Sequence, residues 1–148
     1  MKSIIQLGLA AAALSLTATG TVMAQGEGGR KISTTLNGAS EVPGPGDADG
    51  MGTFEGRVNP GQGQVCYKLT ASAIVTATGA HIHRGAAGTA GPIVVGLTPP
   101  ATGSSEACAT VTRELAMELI KSPEAFYVNV HNAPFPAGAI RGQLGAGN

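Results

Sequence analysis

The sequence predicts an all-β protein, an antiparallel Greek-key sandwich or barrel with one short helix. Three observations predict it. Short runs alternate apolar and polar residues, the period of a strand with one face in a core and one in water. Turn formers separate these runs, with 23 Gly and 9 Pro among 148 residues. Apolar residues reach 43% and charged residues only 12%, which suits a packed core better than a disordered chain. The core has to be aliphatic, because the chain has no Trp, three Phe and two Tyr.

The chain opens with a predicted export signal over residues 1–24. Met1-Lys2 is a short basic start, Ile4 to Thr17 is rich in Leu and Ala, and Val22-Met23-Ala24 offers small residues to a signal peptidase. Cleavage is expected after Ala24. The apolar run is shorter than the roughly 20 residues that cross a bilayer, and Ser15, Thr17 and Thr19 interrupt its end. No membrane insertion is expected after cleavage. The cleavage region has no Cys, which argues against a lipid anchor, so the expected location is the periplasm or the extracellular space. Residues 25–30 (QGEGGR) read as a flexible tail, and residues 31–148 as the folded domain.

Lys31 to Leu36 reads as the first strand, with Ile32, Thr34 and Leu36 on one face, and Asn37 to Gly50 as a long loop. Met51 to Val58 and Gln64 to Thr70 alternate on either side of a glycine-containing turn, which predicts a hairpin. Phe54, Gly56 and Val58 share one face of its first strand; Val65, Tyr67 and Leu69 point inward from its second. Ser72 to Thr76 is a weaker strand candidate. Ala80 to Arg84, Pro92 to Leu97 and Glu106 to Val111 are further strands, with a glycine-rich loop over residues 85–91. A helix follows: Thr112 caps it, Glu114 complements the positive end of the dipole, Leu115 and Leu119 form an i, i+4 pair, Lys121 lies in its last turn and Pro123 stops it. It is expected to cover an open end of the sandwich. Phe126 to His131 and Ala139 to Leu144 complete about eight strands.

Nine basic and nine acidic side chains balance, with no block of like charge. Nucleic acid and anionic membrane surfaces are therefore excluded as partners, since both need a basic patch. Cys66 and Cys108 are the only cysteines. An even count in an exported chain predicts one disulfide, and the absence of a Cys-x-x-Cys pair argues against redox catalysis.

The most informative feature is a predicted polar face. Alternation in Ala80-His81-Ile82-His83 sends both histidines away from Ile82. In Phe126 to His131 it groups Tyr127, Asn129 and His131, and in Ile140 to Leu144 it groups Arg141 with Gln143. If these strands are neighbours, one face collects all three histidines of the chain. Their expected role is to hydrogen-bond loop backbone and pin the glycine-rich segment over the sheet. The alternative is a metal site of His81, His83 and His131, whose three nitrogens suit copper or zinc better than magnesium or calcium. Arg141 is expected to pair with Glu41, with an anionic ligand as its alternative. No Gly-x-Ser-x-Gly, phosphate loop or placed Ser-His-Asp set occurs, and the Asp47/Asp49 segment lacks the later Glu of a calcium loop.

At these residues the sequence resembles a CHRD domain, the module repeated in chordin and present singly in many bacterial exported proteins. The matching segments are Leu36 to Pro43, Gly52-Thr-Phe54, Val65 to Leu69, Ala80 to Gly85, Gly91 to Val95, Tyr127 to His131 and Pro136 to Leu144, in family order. The resemblance implies an immunoglobulin-like or copper–zinc-dismutase-like β-barrel or sandwich, without a defined activity. Copper–zinc dismutases also carry a His-x-His pair on a strand. This chain has no fourth copper histidine and no bridging histidine with a zinc aspartate, which argues against dismutase activity and leaves room for a simpler copper or zinc site. The expected function is a non-enzymatic exported module binding a protein, an envelope component or a metal ion, with a metalloprotein or a purely structural envelope domain as alternatives.

Overall fold

The structure, a computed structural model, describes residues 28–148. The export signal expected over residues 1–24 lies outside the described residues, as does the first half of the tail, residues 25–27. Nine strands form one antiparallel sheet: β1 (Arg30–Asn37), β2 (Met51–Asn59), β3 (Gln64–Ser72), β4 (Ala77–Arg84), β5 (Ile93–Leu97), β6 (Ser104–Thr110), β7 (Phe126–Asn132), β8 (Ile140–Gln143) and β9 (Gly145–Ala146). The order across the sheet is β5-β4-β7-β8-β1-β2-β3-β6, with β9 beside β1. Neighbours that are distant in sequence, such as β8 beside β1 and β3 beside β6, give the Greek-key connectivity.

The sheet curls until its two edge strands, β5 and β6, touch. Tyr67 Oη accepts from Thr98 N at 2.7 Å and Ser105 Oγ donates to Thr98 O at 2.7 Å, tying the segment after β5 to β3 and β6. The result is a nearly closed barrel, which leaves little free edge. The alternation read from the sequence sets the core: Ile32, Leu36, Phe54, Val58, Val65, Leu69, Ile82, Val128, Val130 and Ile140 are all buried. The β2–β3 hairpin is in register from Met51↔Ser72 to Asn59↔Gln64, its turn held by Gly61 and Gln62 amides donating to Asn59 Oδ1 at 3.0 and 3.1 Å. Cys66 and Cys108 face each other across β3 and β6 and form the disulfide.

Helix α1 (Arg113–Lys121) begins where predicted, with Leu115 N donating to Thr112 Oγ1 at 3.2 Å. It packs beside β1 and β2, burying Ala116 and Leu119, while Leu115 packs partly exposed at the rim. No helix among the described residues is long and apolar enough to cross a membrane.

Two expectations need correction. Ser72 to Thr76 is not a separate strand: Ser72 ends β3, Ala73 takes a left-handed φ of 54°, the chain bends through Val75, and β4 begins only at Ala77. The two-residue β9, which pairs Gly145 with Ser33 and Ala146 with Ile32, has no alternation from which it could be predicted.

Candidate metal centre

Strands β4, β7 and β8 are consecutive in the sheet, so their outward residues fall in rows. His83 pairs with Tyr127, which pairs with Gln143. His81 pairs with Asn129, which pairs with Arg141, and Gly79 pairs with His131. Ile82, Val128, Val130 and Ile140 fill the opposite face at 0% exposure, so the side chains sort between faces as the period of two dictates. All three histidines and the four polar residues share the outer face.

That face is largely covered, with His81, His131 and Gln143 half-buried. Two loops fold across it, and β7 is buried on both sides. The glycine-rich loop is held down by side chains from the sheet. Arg141 Nη2 donates to Ala86 O at 3.2 Å and to Thr89 O at 2.8 Å. Gln143 Nε2 donates to Gly85 O at 2.7 Å, and also to Glu124 O and Phe126 O. Tyr127 Oη accepts from Gly91 N at 3.2 Å. The Arg141 guanidinium stacks on Tyr127, 3.4 Å from the ring centroid, and the His83 ring stacks on the same tyrosine at 4.7 Å. Gly91 has to be glycine, because a Cβ there would overlap the Arg84 carbonyl.

The imidazoles are held by the same loops. His83 Nδ1 is 2.9 Å from Gly91 O and His131 Nδ1 is 3.1 Å from Pro136 O. A carbonyl can only accept, so each Nδ1 carries the proton and each Nε2 of the neutral ring keeps its lone pair. His81 Nδ1 donates to His131 Nε2 at 3.1 Å. His83 Nε2 is buried and has no partner. One ring nitrogen from each histidine lies within 4.8 Å of the others. Nitrogens bound at about 2 Å in a tetrahedral site stand about 3.3 Å apart, so the rings have to close by up to about 1.5 Å to share an ion. His81 is held below the ordinary imidazole value of 6.5, mainly by burial and further by His131 and His83. His131 is also lowered, mainly by burial; the Pro136 hydrogen bond opposes the shift and His83 reinforces it. Both rings are thus neutral at pH 7, the form that binds metal.

The ion pair expected between Glu41 and Arg141 is not formed. Among the described residues the salt bridges are Lys68–Glu106 and Arg84–Glu118. Arg141, 2% exposed, gives its hydrogen bonds to the loop carbonyls instead, and its Nη1 has no partner. Glu41 is buried among Gly46, Gly138 and the start of the long loop, with Oε1 unpartnered. Gly138, at φ 152°, leaves room that a Cβ would take from the Glu41 carboxylate. Burial raises the Glu41 pKa from 4.5 to about 7, against the opposing pull of the Val42 backbone and the Arg141 charge.

The expectation that the histidines bond loop backbone holds for His83, which meets Gly91 O at the end of the glycine-rich loop; the Pro136 carbonyl and the tautomers that the two acceptors fix were not foreseeable from alternation. Glycine at 91 and 138 was the available signal.

Searches of curated proteins and of solved structures returned no match. The family model of the CHRD domain matches residues 32–144, from the first core residue of β1 to Leu144, just after β8. The chain therefore belongs to the CHRD domain family.

Proposed function

We propose that this CHRD domain is an exported, non-enzymatic binding module whose ligand is a copper or zinc ion held by His81, His83 and His131. One observation carries the reading. His83 has a buried, unpartnered Nε2, and one ring nitrogen from each of the three histidines lies within 4.8 Å of the others. A buried ring nitrogen without a partner is costly, and a metal ion is the partner that three imidazole nitrogens share. The carbonyls behind His83 and His131 act as outer-sphere partners do in metal sites, fixing ring orientation and tautomer. Export is supported by the amino-terminal pattern of residues 1–24 and by the disulfide, which suits an oxidising compartment.

The experiment is metal analysis of protein purified from its native compartment, beside a variant with all three histidines changed to Gln. One copper or zinc per chain is expected, lost in the variant while the β-fold persists. A structural reading, in which the histidines only pin the loops, is favoured by the bonds to Gly91 O and Pro136 O. In that case the variant unfolds readily and the unsubstituted protein carries no metal.

A further inference from the structure

We infer that Asn129 is the fourth donor of this centre, its Oδ1 completing a set of three nitrogens and one oxygen around a divalent ion. The inference rests on the reading of the three histidines as metal ligands.

The rows of the sheet carry the argument. His83 stands in the row of Tyr127, and His131 stands in the row of Gly79. The row of His81 and Asn129 lies midway between them. Residues four apart on a strand are separated by about 13 Å, so two rings from those outer rows meet only by leaning over the middle one. They do meet: the ring nitrogens of all three histidines lie within 4.8 Å. The point of convergence is therefore above the middle row, which holds His81, Asn129 and Arg141; of the last two only Asn129 has a lone pair to give, since a guanidinium is a donor alone.

Asn129 is 3% exposed, and its Oδ1 has no hydrogen-bond partner. Arg141 Nη1, on the neighbouring strand, is likewise unpartnered and makes no hydrogen bond to it, and the other donors of this face are engaged with the loops. Tyr127 Oη and His131 Nδ1 face loop carbonyls, and Arg141 Nη2 serves the loop as well. A buried, unpartnered amide oxygen in the row of His81 is an acceptor available to an ion at that convergence. A carbonyl-type oxygen suits Cu(II) and Zn(II), whereas Cu(I) prefers softer donors and tolerates fewer of them. Asn129 thus biases the centre toward divalent ions.

The test is a Zn(II) titration of the isotopically labelled full domain, followed by NMR at the histidine rings and at the Asn129 side-chain amide. The Asn129 Nδ2 resonances are expected to shift in step with the imidazoles, saturating at the same stoichiometry. Asn129→Ala is expected to weaken Zn(II) binding about tenfold or more while leaving Cu(I) affinity within about threefold, and Asn129→Asp to retain or raise Zn(II) affinity. Zn(II) uptake by the histidines with the Asn129 amide unmoved overturns this inference alone, and points to a water shared with Arg141 Nη1. Equal losses for both ions in Asn129→Ala also overturn it. No uptake by the unsubstituted domain overturns the histidine reading and this inference with it.

Discussion

His81 Nδ1 lies 3.1 Å from His131 Nε2 across β4 and β7, and the Pro136 carbonyl behind His131 decides that His81 gives the proton. The pair is a neutral hydrogen bond between two rings whose protonated forms burial disfavours. This relationship sets how the metal-free protein responds to pH.

Because both imidazoles are held below 6.5, the folded chain binds these protons more weakly than the unfolded chain does. Their contribution to stability is complete above about 6.5 and is lost as pH falls through the folded values. Thermal unfolding of the metal-free protein between about pH 8 and about pH 5 measures it. Relative to His81→Gln/His131→Gln, the unsubstituted protein is expected to lose stability on acidification. An equal pH slope in both proteins contradicts the assignment.

Glu41 has the opposite sign. Its folded value of about 7 exceeds 4.5, so its contribution to stability is complete below 4.5 and is lost as pH rises through about 7. Glu41→Gln removes that loss. At about pH 8 the variant is expected to be more stable by about 2–3 kcal/mol, with the advantage gone at about pH 4. Denaturant titration at the two pH values checks both.

Arg141→Lys tests the clamp over the site. A lysine keeps the charge but cannot stack on Tyr127 and serve Ala86 O and Thr89 O together. A stability loss of about 2 kcal/mol is expected. Faster amide hydrogen exchange at Thr89 and Gly91 than in β2 would locate the loss in the loop.

Cys66→Ser/Cys108→Ser opens a loop of sequence separation 42. The chain-entropy model assigns such a cross-link about 4 kcal/mol. The double variant is expected to lose stability of that order in denaturant titration while keeping its far-ultraviolet β signature.

The strands were legible because each rests on a local period. Ile82, Val128 and Val130 announce the inner face, and that alone places His81, His83, Asn129 and His131 on the outer one. The helix was legible from its ends, Thr112 and Pro123. What alternation does not encode is which loop closes over a face. The Glu41–Arg141 ion pair failed for that reason: opposite charges suggested a pair, but the folded loop brought the Ala86 and Thr89 carbonyls to the guanidinium. The same closure buries β7 on both sides, which a period of two reads as half-exposed. Asn129 was grouped with the right neighbours. Its pairing with His81 and Arg141 depends on the register between strands, which the sequence of each strand alone does not carry.

X-ray absorption on the copper- or zinc-loaded domain tests the central claim most directly, because imidazole scattering counts the rings around the ion. The account predicts three imidazoles at about 2.0 Å, falling to two when any one of His81, His83 or His131 becomes Gln. A loaded protein with one imidazole or none, or a count unchanged by those substitutions, contradicts it.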